Sequence, residues 1–290
     1  MNNNERSLKM DIKEYHNNPA LSSSKIRQML KSSAHYEYAL LNKIKPTEAM
    51  ILGDAIHAFI LEPNRFNEMY DEVADLYLRK TSDHEVGDPK LDADGDPIIM
   101  LKDRANTGLD IKGEQYKKFA CMREAIKKSN IIKEMMLSST HTEYTIMSNI
   151  MGIDVKCRPD TLSVNEGIIW DVKTVGGIGD RPSDNFIRDM LEFGYDVQAA
   201  LYKRLCEELF KREFEFRFMC IDVKKDVCGI KEWKMSDELI ELGERRLKWC
   251  LEQIKKYNLN RFAAVYETPR EELQADYKCL ELLEKFRGEE

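Results

Sequence analysis

Residues 141–174 read HTEYTIMSNIMGIDVKCRPDTLSVNEGIIWDVKT, and their pattern decides the fold. Apolar and polar residues alternate, β-branched residues are frequent, and turn residues stand at Asn149–Gly152 and Asn165–Gly167. This predicts three strands, near 142–148, 153–162 and 168–173, joined by tight turns. Asp160 falls near the end of one strand, and Asp171 and Lys173 stand two apart on the next. Residues i and i+2 of a strand share a face, so Asp171 and Lys173 project together with Ile169, while Ile168, Trp170 and Val172 point the other way. An antiparallel hairpin would bring Asp160 beside them. Charge on an inner strand is costly to bury without compensation. A divalent cation between Asp160 and Asp171 would supply it. A plain carboxylate–lysine ion pair would also do so, because D-x-K alone is a common sequence.

Upstream, residues 22–43 read as a helix capped by Ser22, Ser23 or Ser24, with Ile26, Met29 and Leu30 at helical spacing. Residues 47–63, TEAMILGDAIHAFILEP, form a second helix, with Thr47 as cap and Pro63 at its end. It is apolar on more than one face and should be buried. His57 lies inside it, where a lone histidine is more often a satisfied core residue than a ligand. The polar stretch 81–100 reads as an excursion or mobile loop. Its Asp92, Asp94 and Asp96 imitate a calcium loop, but Pro97 stands where glycine is required. Residues 113–136 carry an amphipathic helical stripe.

Downstream, a long helix is expected from about 185 to 211, a strand over 213–223, and helices over 236–258 and 269–286. The order of elements predicts α/β architecture: one domain over 11–290 behind a flexible tail 1–10, with a central mixed sheet flanked by helices and its core near 141–223.

The chain has 290 residues, with 45 Lys+Arg against 52 Asp+Glu, a net charge of −7. A uniformly basic nucleic-acid coat is excluded, so any polyanion must be met by local patches or bound cations. No apolar stretch has the length of a membrane span, and the start of the chain lacks the apolar core of a secretory signal. The seven cysteines form no CxxC pair, which argues for reduced thiols in a cytoplasmic protein and against a zinc ribbon or iron–sulfur site. Gly176, Gly177 and Gly179 lack the GK[ST] of a phosphate loop and read as a flexible loop.

RPD, ten residues and DVK together resemble the signature of the PD-(D/E)xK nuclease superfamily. More narrowly, the chain is similar to the RecE-type exonuclease (exonuclease VIII) family and its phage-encoded relatives. The likeness covers most of residues 20–210 and includes LSSSKIRQMLKSSAHYEYALL, PTEAMILGDAIHAFILEPNRF, the lone Glu143, GIDVKCRPDTL, IIWDVKT and GYDVQAALYKRL.

The resemblance implies a restriction-endonuclease-like core with an N-terminal helical elaboration. It implies that Asp160, Asp171 and the backbone carbonyl of Val172 bind Mg²⁺, for which Mn²⁺ can substitute, with His57 as a further ligand. Glu143 would serve the site directly or through water. Lys173 would orient or deprotonate the attacking water, or steady developing phosphorane charge. Gln198 and Tyr202, i,i+4 neighbours on one helix, would contact phosphate or metal-bound water. Ser22–Ser24, Lys25, Lys156 and Arg158 are candidates for DNA-backbone contacts.

The implied function is Mg²⁺-dependent digestion of linear double-stranded DNA from a 5′ end, leaving a 3′ overhang for phage or prophage recombination. The implied partners are DNA ends, further copies in a ring-like homo-oligomer, and a single-strand annealing protein. Two other readings stand beside it: an endonuclease or repair nuclease on the same fold, and a catalytically inactive DNA-binding subunit. Retention of Asp160, Asp171, Lys173 and His57 argues against the last.

Overall fold

The strands of residues 141–174 divide between two sheets. The computed structural model describes residues 7–8, 10–42, 45–176, 182–222 and 228–259. Residues 1–6 of the expected tail, Gly177, Gly179 and the helix expected over 269–286 lie outside the described residues. In chain order the elements are β1 (Ser7–Leu8), α1 (Ile12–Asn17), β2 (Leu21–Ser22), α2 (Ser23–Ile26) running into a 3-10 turn (Arg27–Leu30), α3 (Ser33–Leu41), α4 (Glu48–Leu61), α5 (Pro63–Met69), β3 (Tyr70–Ala74) and β4 (Ile99–Asp103). They continue with α6 (Glu114–Lys128), α7 (Asn130–Ser138), β5 (His141–Thr142), β6 (Thr145–Ile150), β7 (Ile153–Cys157), β8 (Thr161–Ser163), β9 (Ile168–Val175), α8 (Pro182–Phe193), α9 (Tyr195–Phe210), β10 (Glu215–Asp222), β11 (Ile230–Lys234) and α10 (Asp237–Leu259).

A five-stranded mixed sheet has the order β11-β10-β9-β8-β5, and a four-stranded sheet has the order β1-β6-β7-β2. β9 and β10 run parallel, with Phe218 opposite Asp171 and Cys220 opposite Lys173. A parallel pair needs a crossover, and α8 and α9 supply it. The expected single strand 153–162 is corrected to two. β7 ends at Cys157, and the chain crosses through Arg158-Pro159-Asp160 before resuming as β8 in the other sheet. Pro159 has no N–H to offer a ladder, which suits it to the crossing point.

Three expected helices are also broken, each by local chemistry that overrides the apolar period. Ser32 caps α3 by accepting from the His35 N–H at 3.2 Å, and Ser129 caps α7 by accepting from the Ile132 N–H at 3.2 Å. Gly194 separates α8 from α9 at φ +67°, where a Cβ would also lie 3.1 Å from Arg27 Cβ. Pro63 ends α4 as expected, yet also opens α5 as a first-turn proline. The excursion is flanked by the β3–β4 hairpin and held by local bonds such as Tyr77 N–H to Asp88 O at 2.9 Å.

The strand parity read from the sequence separates two cores. Ile169 packs with the apolar faces of α9 and α10, among them Val197, Leu201, Leu205 and Leu247. Ile168, Trp170 and Val172 pack with Leu52 and Ile56 of α4 and with Phe119 and Met122 of α6. α10 completes the first core. Its Arg246 grips the fully buried Asp196 of α9 through two 2.7 Å bonds. Among the described residues no helix is long and apolar enough to cross a membrane.

Candidate metal centre

The β8–β9 register pairs Thr161 with Trp170 and so sets the preceding residue, Asp160, beside Asp171. Asp160 Oδ2 accepts the backbone N–H of Val172 at 2.6 Å. Both acids are buried, Asp160 at 8% and Asp171 at 1% exposure. Burial, and then the charge of Asp171, push the Asp160 carboxyl well above the usual carboxylate range. Asp171 Oδ2 faces the Lys173 ammonium as an ion pair. Burial opposes the charge on Lys173, but Asp171 and Asp160 outweigh it and raise the amine above its ordinary range. In this arrangement Lys173 is a cation rather than a free amine base.

α4 brings His57 to the same carboxylates. A Cβ on Gly53 would lie 3.3 Å from Thr174 Oγ1, so glycine there lets the helix approach β9 closely. His57 Nε2 is 2.7 Å from the Val172 carbonyl, and its Nδ1 is 3.6 Å from Asp160 Oδ2. Burial and the nearby Lys173 cation lower its pKa and favour the neutral ring.

Glu143 is not inside a strand. It lies between β5 and β6 at φ +51°, a left-handed conformation rare for glutamate. Its N–H donates to the Asp160 carbonyl at 3.0 Å, and Oε2 accepts from Arg158 Nε at 2.6 Å. Burial and the Asp160 charge outweigh Arg158 and push the Glu143 carboxyl up to about 7. His57, Glu143 and Asp160 each offer one ligand atom, all within 4.8 Å of one another.

Gln198 Nε2 donates to Asp171 Oδ1 at 2.6 Å, tying α9 to β9. Tyr202, one turn on, is buried beside it. Both line a cavity of about 310 Å³ with Lys173, Ser22, Ser23, Ser24, Lys25, Arg27, Lys156 and Arg158, so the residues anticipated for backbone contact converge on one opening. Two of these cations are already engaged. Lys156 donates to the Tyr15 carbonyl at 2.5 Å and the Asn18 carbonyl at 2.7 Å. Arg158 binds Glu143 and also the Met10 carbonyl at 2.8 Å.

Two residues missed in the sequence belong here: Arg27, which lines the cavity, and Tyr195, whose ring lies against two of its cations. Arg27 has a buried Nη1 without a hydrogen bond, and its guanidinium lies 5.4 Å from the Tyr195 ring centroid. Lys173 Nζ lies 4.8 Å from the same ring. The i,i+3 spacing of Tyr195 and Gln198 was the available signal for Tyr195.

The donor set fits a hard divalent cation: clustered carboxylates plus one imidazole whose Nδ1 faces an acid. Two neighbouring buried acids, one of them driven toward its protonated form, are the electrostatic situation such an ion relieves.

Residues 22–268 match the family described as a PDDEXK-like domain of unknown function (DUF3799). A crystal structure of a protein from Eubacterium rectale described as a "Putative exonuclease" superposes with a TM-score of 0.57 at 12% identity, covering 91% of this chain and 97% of that one. At that identity the likeness is one of fold: mixed α/β with helices flanking a central sheet. A structure described as SSO0001 aligns at a TM-score of 0.27 and 16% identity over 58% of this chain and 76% of its own, which carries no argument. No curated protein matches the chain.

Proposed function

The chain belongs to the family of PDDEXK-like domains of unknown function (DUF3799), and from that premise we propose that it is a Mg²⁺-dependent exonuclease of the RecE type acting on linear double-stranded DNA. One observation carries the reading: Asp160 and Asp171 are buried side by side, with His57, Glu143 and Lys173 converging on them. The family and the "Putative exonuclease" fold neighbour support a nuclease.

His57, Glu143, Asp160 and Asp171 would hold the ion, with the Val172 carbonyl adjoining. The bound ion would polarise the scissile phosphate and lower the pKa of an attacking water. Lys173 stabilises the charge that develops on the phosphorus oxygens. Gln198 holds Asp171 through one oxygen, and Arg158 holds Glu143, so both carboxylates keep their orientation. The cavity walled by Lys25, Arg27 and Ser22–Ser24 opens on Lys173 and receives the phosphodiester backbone. The unpaired Nη1 of Arg27 is a donor suited to a phosphate oxygen.

In this reading digestion proceeds 5′ to 3′ and leaves 3′ overhangs for recombination in a bacterial or phage-infected cytoplasm. The protein works as a ring-like homo-oligomer alongside a single-strand annealing protein.

The test incubates the protein with Mg²⁺ and linear duplex, closed circular duplex, and duplex labelled at either 5′ or 3′ ends. Early release of the 5′ label from linear DNA alone is expected. Cleavage of the circle would convert the reading to an endonuclease, and early release of the 3′ label would reverse the polarity. Inertness with both Mg²⁺ and Mn²⁺ would leave an inactive DNA-binding subunit.

A further inference from the structure

Cys121 on α6 and Cys228 just ahead of β11 are 107 residues apart in sequence, yet their sulfurs are 2.7 Å apart. Both are partly exposed, whereas the other described cysteines, Cys157, Cys206, Cys220 and Cys250, are buried. This is the one pair of thiols among the described residues that meets both each other and solvent. The sulfurs need move only about 0.7 Å to reach bonding distance, a shift within the reach of side-chain rotation.

We propose that Cys121 and Cys228 form a reversible intramolecular disulfide, produced by exchange with a small-molecule disulfide. Cys228 donates its S–H toward Cys121 Sγ. Burial and the adjoining Cys121 sulfur push the Cys228 thiol up to about 12, so Cys228 keeps its proton and acts second. The Cys121 thiolate attacks one sulfur of the small disulfide and expels one thiol. Cys228 then loses its proton and attacks the Cys121 sulfur, expelling the second. Two protein thiols are oxidised to one disulfide, the small disulfide is reduced to two thiols, and the two protein protons end on them.

The link would join two layers of the fold. Phe119 of α6 packs on Phe59 of α4 at 6.1 Å between ring centroids, and α4 carries His57. On the other side, the Asp222 N–H donates to the Gly229 carbonyl at 2.8 Å, joining the chain at Cys228 to the end of β10. β10 in turn pairs with β9. Oxidation therefore clamps the helical layer bearing His57 to the sheet bearing Asp171, and closing so long a loop restricts the unfolded chain.

The full-length protein, treated with oxidised glutathione, is digested without reduction and mapped by mass spectrometry. The expected result is one peptide pair joined through Cys121 and Cys228, with two hydrogens and two titratable thiols lost, a raised thermal midpoint, and full reversal by dithiothreitol. Cys228→Ser should stop at a glutathione adduct on Cys121 and show no rise in midpoint. The proposal is overturned if the wild-type pair stays alkylatable, if each cysteine carries its own glutathione, or if either is joined to a different cysteine. These readouts are independent of nuclease activity.

Discussion

His57 donates from Nε2 to the carbonyl of Val172 at 2.7 Å, and this turns its Nδ1 toward Asp160 Oδ2, 3.6 Å away. A carbonyl can only accept, so the contact places the proton of the neutral ring on Nε2. Nδ1 then presents a lone pair to a carboxylate, an unfavourable meeting that a cation between them reverses. His57→Ala should weaken Mn²⁺ binding by about 10–100-fold or more, since even outer partners of metal ligands are worth that much. Calorimetric titration with Mn²⁺ measures it, with circular dichroism as the control for folding. Unchanged affinity in a folded variant would remove His57 from the site.

Stability should depend on pH in opposite senses with and without the ion. Glu143 is raised from 4.5 to about 7, and Asp160 is raised as well. A raised carboxyl binds more protons folded than unfolded, so these two acids cost the metal-free protein stability as pH climbs from about 4.5 through 7, by about 3 kcal/mol for Glu143, while the lowered His57 acts in the opposite sense below its ordinary range. A divalent ion takes the deprotonated carboxylates, so its stabilising effect grows over the same interval. Thermal melts from pH 5 to pH 8, with and without Mg²⁺, should show the two curves diverging toward high pH. Parallel curves would show that these acids are not ligands.

What the sequence revealed and what it hid divide by the range of the interactions. The two-residue period of IIWDVKT placed Ile169 in one core and Trp170 in the other, and brought Asp160 to Asp171. Thr47 was legible as a cap because capping is written within four residues. The left-handed Glu143 and the sheet change at Pro159 were not legible, because long-range contacts select them. Lys156 and Arg158 were read as candidates for DNA-backbone contacts, and the partners that hold them within the fold were not legible. Their partners are the carbonyls of Tyr15, Asn18 and Met10, about 140 residues away in the sequence.

Gln198→Ala should lower the turnover rate on duplex DNA by about 10–100-fold, with KM little changed. Its amide holds Asp171 Oδ1 at 2.6 Å, so the variant leaves a buried acid with one donor fewer and a freer orientation. Steady-state digestion of linear duplex at saturating Mg²⁺ reports both constants. A rise in KM at constant turnover would instead assign Gln198 to DNA binding alone.

Tyr195 should matter for its ring and not for its hydroxyl. Its centroid is 4.8 Å from Lys173 Nζ and 5.4 Å from the Arg27 guanidinium carbon. A partly buried cation–π contact of about 0.5–2 kcal/mol, lost where Lys173 must stay aligned, corresponds to roughly a 2–30-fold fall in turnover. Tyr195→Leu removes the π face while keeping an apolar side chain, and Tyr195→Phe keeps the face. The leucine variant is therefore expected to lose turnover with KM retained, and the phenylalanine variant to stay near the wild-type rate. If both variants fall equally, the hydroxyl carries the effect and the ring does not position Lys173.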